Sequence, residues 1–294
     1  MPSFRRLLLA SLCLIAPAAA RAQDRAVVPR VVDPAWLAAN LSRADVVVLH
    51  VSMDDYDEGH IPGARAIAYD RIVTRRGTLG SELPEADSLR ATFGSLGIDT
   101  GSTVVVYAHE APMATRVLFS LASIGHARYA YLDGGLQRWQ AEGRPVSKDV
   151  PAARNGRMAP LPGRSLVADA EYIRARLGRP GTAFIDTRTD GEYDGTGNRS
   201  GMPSAGHLEG ARQLEWEQMF EADHVRLKPR AELEKLFAER TQPGDAVITY
   251  CWVGYRASAT WFVAHWLGRD ARLYDGSYQD WSQRSLPTTK GRTP

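Results

Sequence analysis

Apolar positions along this chain come in two spacings. Short runs rich in β-branched residues, at 45–50, 103–107, 182–186 and 246–250, alternate with stretches whose apolar residues recur every three or four positions. The first kind reads as buried strands and the second as helices laid over them. Such alternation predicts an α/β architecture, a mainly parallel sheet flanked by helices. A different run stands at the amino terminus, where Arg5 and Arg6 precede an apolar stretch at 7–15 and small residues that continue to Ala22. It falls short of the roughly 20 apolar residues that cross a bilayer. The order basic, apolar, small marks a secretory signal peptide. Residues 1–22 are therefore expected to be removed, leaving a periplasmic or secreted protein with no membrane span.

The pattern is also written twice. Gly59, His60, Ile61, Pro62, Gly63 and Ala64 answer to Gly206, His207, Leu208, Glu209, Gly210 and Ala211. Residues 104–107 answer to 247–250, and this register continues without a gap to Gly125 and Gly268. Asp133, Gly134, Gln137 and Trp139 then match Asp275, Gly276, Gln279 and Trp281. Three blocks in one order indicate an internal duplication. The predicted organisation is two tandem domains of one fold, residues 23–147 and 165–294. They are joined by a linker at 148–164, which is rich in Pro, Gly, Ala and Arg and lacks an apolar period.

Loss of the signal takes away three arginines and no acidic residue, which moves the formal charge from +2 to −1. No basic excess remains to suggest nucleic acid. Of the two cysteines, Cys13 leaves with the signal, so the mature chain carries one thiol, Cys251, and forms no internal disulfide. A lone thiol in an oxidising compartment is either buried filler or a reactive group. The histidines have no metal-ligand spacing around them, so neither a metal nor another cofactor is expected.

The surroundings of Cys251 favour reactivity. Residues 247–250 form a strand; Cys251, Trp252, Val253, Gly254, Tyr255 and Arg256 follow as a loop; a helical stretch at 257–267 ends at Gly268, which suits a helix C′ position. The start of such a helix offers unpaired N–H groups and the positive end of its dipole. These hold a cysteine as thiolate, its nucleophilic form, and make the loop an anion cradle. In the first copy the register puts Ala108 opposite Cys251, Met113 opposite Arg256 and Ser52 opposite Arg188. The first domain is thus expected to be a fold without a site. His60 and His207 occur in both copies, whereas the cysteine occurs in one, which assigns them a structural role. Among Trp252, Trp261, Trp266 and Trp281, only Trp252 is expected at a pocket mouth.

The strand ending at Tyr250, with Cys251 and its loop to Arg256, resembles the active loop of the rhodaneses. The segment 59–64 and the block of Asp133, Gly134, Gly135 and Trp139 resemble two further hallmarks of that family. Together these cover nearly the whole mature chain, and the combination is similar to the tandem thiosulfate and 3-mercaptopyruvate sulfurtransferases. The resemblance implies two rhodanese-like domains and a sulfur carried as a persulfide on Cys251. It further implies a donor bound by the loop residues Trp252, Val253, Gly254 and Tyr255, with Arg188, Arg256 and Arg199 holding its anionic part. Arg256 favours thiosulfate over 3-mercaptopyruvate as donor, and the acceptor is cyanide or a thiol. A carrier that holds one persulfide without turnover shares the same first step. A phosphatase on this fold needs five residues between cysteine and arginine, and here four intervene.

Overall fold

A computed structural model describes residues 28–52, 54–162, 165–197 and 204–294. The signal segment and Arg199 lie outside the described residues. The first half supplies strands β1 (Val31–Val32), β2 (Val46–Ser52) and β3 (Arg65–Ala68), a hairpin of β4 (Thr74–Arg76) and β5 (Leu79–Glu82), then β6 (Thr103–Ala108) and β7 (Tyr129–Leu132). Its helices are α1 (Pro34–Asn40), α2 (Ala86–Ser95), α3 (Ala111–Ser123) and α4 (Gly135–Ala141). The second half supplies β8 (Val167–Ala168), β9 (Thr182–Asp186), β10 (Arg212–Gln213), β11 (Ala246–Tyr250) and β12 (Ala271–Tyr274). Its helices are α5 (Ala170–Arg174), α6 (Asp190–Asp194), α7 (Arg230–Ala238), α8 (Tyr255–Trp266) and α9 (Ser277–Gln283).

The first sheet runs β1-β7-β6-β2-β3 and the second β8-β12-β11-β9-β10, with every neighbouring pair parallel. The duplication is therefore one of topology as well as of sequence. Covered on both faces, the central strands β6 and β11 are buried along almost their whole length, as continuous apolar runs in parallel sheets require. Pairing of His50 with Tyr107 and of Asp186 with Tyr250 places Ser52 and Arg188 at equivalent positions, as the aligned sequence predicts. The equivalent tyrosines do equivalent work: Tyr107 Oη accepts from the Ile61 amide at 3.0 Å, and Tyr250 Oη from the Leu208 amide at 3.2 Å.

His60 stacks on Tyr56 with ring centroids 3.9 Å apart, and His207 on Tyr193 at 3.8 Å. Both nitrogens of each ring lie within hydrogen-bond distance of backbone carbonyls, those of Tyr56 and Asp149 for His60 and those of Tyr193 and Thr293 for His207. These are structural histidines. The linker lies against the turn between α2 and β6, where the Gly156 amide donates to Gly94 at 2.8 Å and the Thr100 amide to Arg157 at 3.0 Å.

The two halves interlock more tightly than tandem domains on a linker need. Helix α3, whose residues 111–121 are all buried, packs on α8 and merges the apolar interiors of both halves. At their contact the hydroxyls of Thr115 and Ser258, equivalent residues in the duplication, stand 2.9 Å apart. Each half also sends an arm to the other. The Leu83 amide donates to Asp275 at 2.5 Å, and the Leu227 amide donates to Asp133 at 2.8 Å. Asp275 further accepts from Arg116 at 2.6 Å, an ion pair across the interface whose side chains are 6% and 0% exposed.

Candidate active site

Cys251 follows β11, the central strand of its sheet, at the carboxyl end, where open α/β sheets place their ligands. Helix α9 fixes the loop that starts there. The Cys251 amide donates to Ser277 Oγ at 3.3 Å, while the Tyr278 and Gln279 amides donate to the carbonyls of Cys251 and Trp252, each at 3.0 Å. These two donors belong to the first turn of a helix, whose N–H groups lack partners within it. With both carbonyls turned toward α9, planar trans peptides turn the N–H groups of Trp252 and Val253 the opposite way.

Gly254 closes the loop at φ +78°, where a Cβ would sit 3.0 Å from the Asp275 carbonyl oxygen and 3.2 Å from the Arg116 guanidinium. Only glycine fits such a backbone in such a space. Helix α8 then begins at Tyr255, two residues earlier than the apolar period predicts, so the loop proper spans 251–254. Gly268, at φ +85°, lies just past its end, as expected. The amides of Val253, Gly254, Tyr255 and Arg256 have no acceptor among the described residues.

Cys251 is closed to bulk solvent, 0% exposed, and borders a cavity of about 380 Å³. Trp252, Val253, Tyr255 and Arg256 line that cavity too; Gly254 does not. Arg256 is held by Glu192, whose two carboxylate oxygens accept from its terminal nitrogens at 2.8 and 3.0 Å. Burial by itself would raise the Glu192 pKa, but the hydrogen bonds and charge of Arg256 outweigh it and hold the group at about 2. Glu192 also forms a capping box with Thr189 at the start of α6, so its side chain is placed by local helix chemistry before it meets Arg256.

Arg188 is turned inward, onto its own strand end. Its guanidinium is buried, pairs with Asp186 at 2.5 Å, donates to the Gly206 carbonyl at 2.7 Å and lies 3.9 Å from the centre of the Tyr278 ring. It is not on the cavity wall. Asp186 is fully buried, and a buried carboxylate requires a partner, which turns the arginine inward. Arg188 thus braces the Tyr278 ring, whose amide holds the Cys251 carbonyl.

The expectation for the first domain also changes. It has no nucleophile, with Ala108 in place of the cysteine, yet it builds part of the wall. Glu110 lines the cavity and accepts a hydrogen bond from the Tyr255 hydroxyl. The Tyr69 ring packs edge-on against Tyr255 at 5.3 Å. Burial first, and then Glu110, push the Tyr255 hydroxyl far above its ordinary pKa, which keeps it a donor. Sequence reasoning missed Glu110, Glu192, Glu215, Trp216 and Glu217. For Glu110 a signal existed, since the register sets it opposite Val253 of the cysteine loop, but only the packing of α3 on α8 brings the two loops together.

Comparison with known proteins agrees with this architecture. The family description "Rhodanese-like domain" matches residues 33–142 and again 169–284. The thiosulfate sulfurtransferase of Azotobacter vinelandii is 33% identical over 264 residues, which cover 88% of this chain and 96% of that protein. A probable 3-mercaptopyruvate sulfurtransferase of Pseudomonas aeruginosa is 32% identical over 264 residues, covering 83% of this chain and 92% of that protein. Among solved structures, YnjE superposes with a TM-score of 0.80 at 25% identity, over 90% of this chain and 70% of that one.

Proposed function

The chain belongs to the family of proteins built from rhodanese-like domains, and on that premise we propose that it is a sulfurtransferase moving the outer sulfur of thiosulfate to cyanide or a thiol through a persulfide on Cys251. In the first half-reaction the Cys251 thiolate attacks the outer sulfur. A bond forms from Sγ to that sulfur, the sulfur–sulfur bond of thiosulfate breaks, and its electron pair leaves on sulfite. In the second, the acceptor attacks the outer sulfur of the persulfide and the electron pair returns to Sγ. The negative charge stays on sulfur throughout, and the amides of residues 253–256 are the donors offered to it. The observation that carries this reading is the Cys251 thiol at the carboxyl end of the central strand, beside a run of amides without acceptors among the described residues.

A second donor has an observation of its own. Arg256, the residue taken to prefer a dianion, is already paired with Glu192, and a relative named for 3-mercaptopyruvate is about as similar as one named for thiosulfate. Steady-state comparison of the two donors with cyanide as acceptor separates them. Thiosulfate is expected to give thiocyanate over many turnovers, and to leave one extra sulfur atom in the intact mass when the acceptor is omitted. One sulfur released per chain would identify a carrier; no sulfur adduct from either donor would overturn the reading. The amino-terminal pattern supports export, and amino-terminal sequencing of periplasmic material, expected to start near Gln23, tests it.

A further inference from the structure

The wall of the Cys251 cavity carries three carboxylates. Glu110 comes from the first half, and Glu215 and Glu217 from the segment after β10. The guanidinium on the wall, that of Arg256, is held by Glu192 in a two-bond pair. The Glu110 carboxylate has the neutral Tyr255 hydroxyl as a donor, and the carboxylates of Glu215 and Glu217, whose backbone carbonyls accept from Gln218 and Phe220, have no ion-pair or hydrogen-bond partner among the described residues. Partial burial first, and after it the charges of Glu217 and Asp190, push the Glu215 carboxyl above its ordinary pKa against the opposing charge of Arg256, the response of an acid that loses more solvation than its surroundings return. Trp216, Trp252 and Tyr255 line the same cavity. Aromatic faces, like carboxylates, attract cations.

We infer that this cavity selects a sulfur acceptor bearing a positive charge near its thiol, an aminothiol, over neutral or anionic thiols. The inference rests on the persulfide reading of Cys251 and adds to it the class of acceptor. The acceptor's thiolate attacks the outer persulfide sulfur, a new sulfur–sulfur bond forms, and the bond from Cys251 Sγ to that sulfur breaks with its electron pair returned to Sγ. The products are the free Cys251 thiolate and the persulfide of the aminothiol. The ammonium group takes no part in bond making; it sits among the carboxylates and rings and raises the occupancy of the site by the thiol. Thiosulfate, a dianion, meets the same wall with the opposite sign, so the donor half-reaction is expected to quicken as salt screens the acids.

The test separates loading from discharge. The wild-type protein is loaded with thiosulfate, freed of excess donor, and checked for one added sulfur by intact mass. Discharge is then timed at low ionic strength with cysteamine, 2-mercaptoethanol and thioglycolate at equal thiolate concentration. Cysteamine is expected to discharge the persulfide at least about tenfold faster than thioglycolate, with 2-mercaptoethanol between them. In the variant Glu215→Gln/Glu217→Gln, or in high salt, the ratio is expected to shrink to about threefold or less. Equal rates, a faster anionic thiol, or a ratio that survives the double substitution would overturn the acceptor class while leaving sulfur transfer standing. Failure of the loading step itself would overturn both.

Discussion

Glu192 binds both terminal nitrogens of Arg256, at 2.8 and 3.0 Å, so the guanidinium beside the cysteine loop is charge-paired before any substrate arrives. The pair keeps the arginine in place and spends little of its charge on the donor. Glu192→Gln leaves a side chain that still accepts from Thr189 and releases the positive charge. The expected result is a lower KM for thiosulfate, by roughly fivefold for about 1 kcal/mol of unscreened attraction. Steady-state kinetics against thiosulfate check it, and a raised KM would mean that Arg256 matters through its position alone.

The same pair sets an acid limit on stability. Glu192 titrates at about 2 in the folded chain against an ordinary value of 4.5, so its contribution is complete above about pH 4.5 and is lost as pH falls through 2. At most about 3 kcal/mol is involved. Urea unfolding of wild type and Glu192→Gln between pH 5 and pH 2 is expected to show the wild-type advantage shrinking over that window. An advantage independent of pH would show that the pair contributes through packing.

Cys251→Ser is expected to abolish sulfur transfer and the sulfur adduct while the fold persists. Serine is close in volume, the Cys251 amide bond to Ser277 is unchanged, and Cys251 is the one cysteine among the described residues. Thiocyanate assays paired with circular dichroism read both halves of the claim. Retained activity would assign the nucleophile elsewhere.

Arg116→Met removes one partner of the buried pair that joins α3 to the turn at Asp275. It leaves that carboxylate inside the interface with the Leu83 amide as its remaining neutral donor across the two halves. Breaking such a pair costs about 3–5 kcal/mol. Denaturant unfolding is expected to show a loss of that order, and a loss under about 1 kcal/mol would mean that the interface holds through its apolar contacts.

Much of this molecule is legible in its residue order. The strands Thr182–Asp186 and Ala246–Tyr250 fall where β-branched runs place them, and the gap-free register that sets Ala108 against Cys251 matches the paired strands. Local patterns succeed there because a strand between two covered faces must be apolar throughout. Arg188 shows what spacing leaves open. Its spacing from the strand end is right, but spacing says nothing of which way a side chain turns, and the unmet charge of buried Asp186 decides that. The start of α8 was masked for a related reason: Tyr255 and Arg256 look like loop residues until Glu110 and Glu192 give each of them a partner.

Residue order alone determined the duplication, the parallel α/β fold, and Cys251 as the thiol set at a strand end before a helix. Each follows from repeats and periodicities a few residues long. Tertiary structure decided the electrostatics around that thiol and the share of the first half in its wall. Arg256 finds Glu192 at a separation of 64 residues and Tyr255 finds Glu110 at 145. Coulomb forces depend on distance in space, and only packing brings such residues to it.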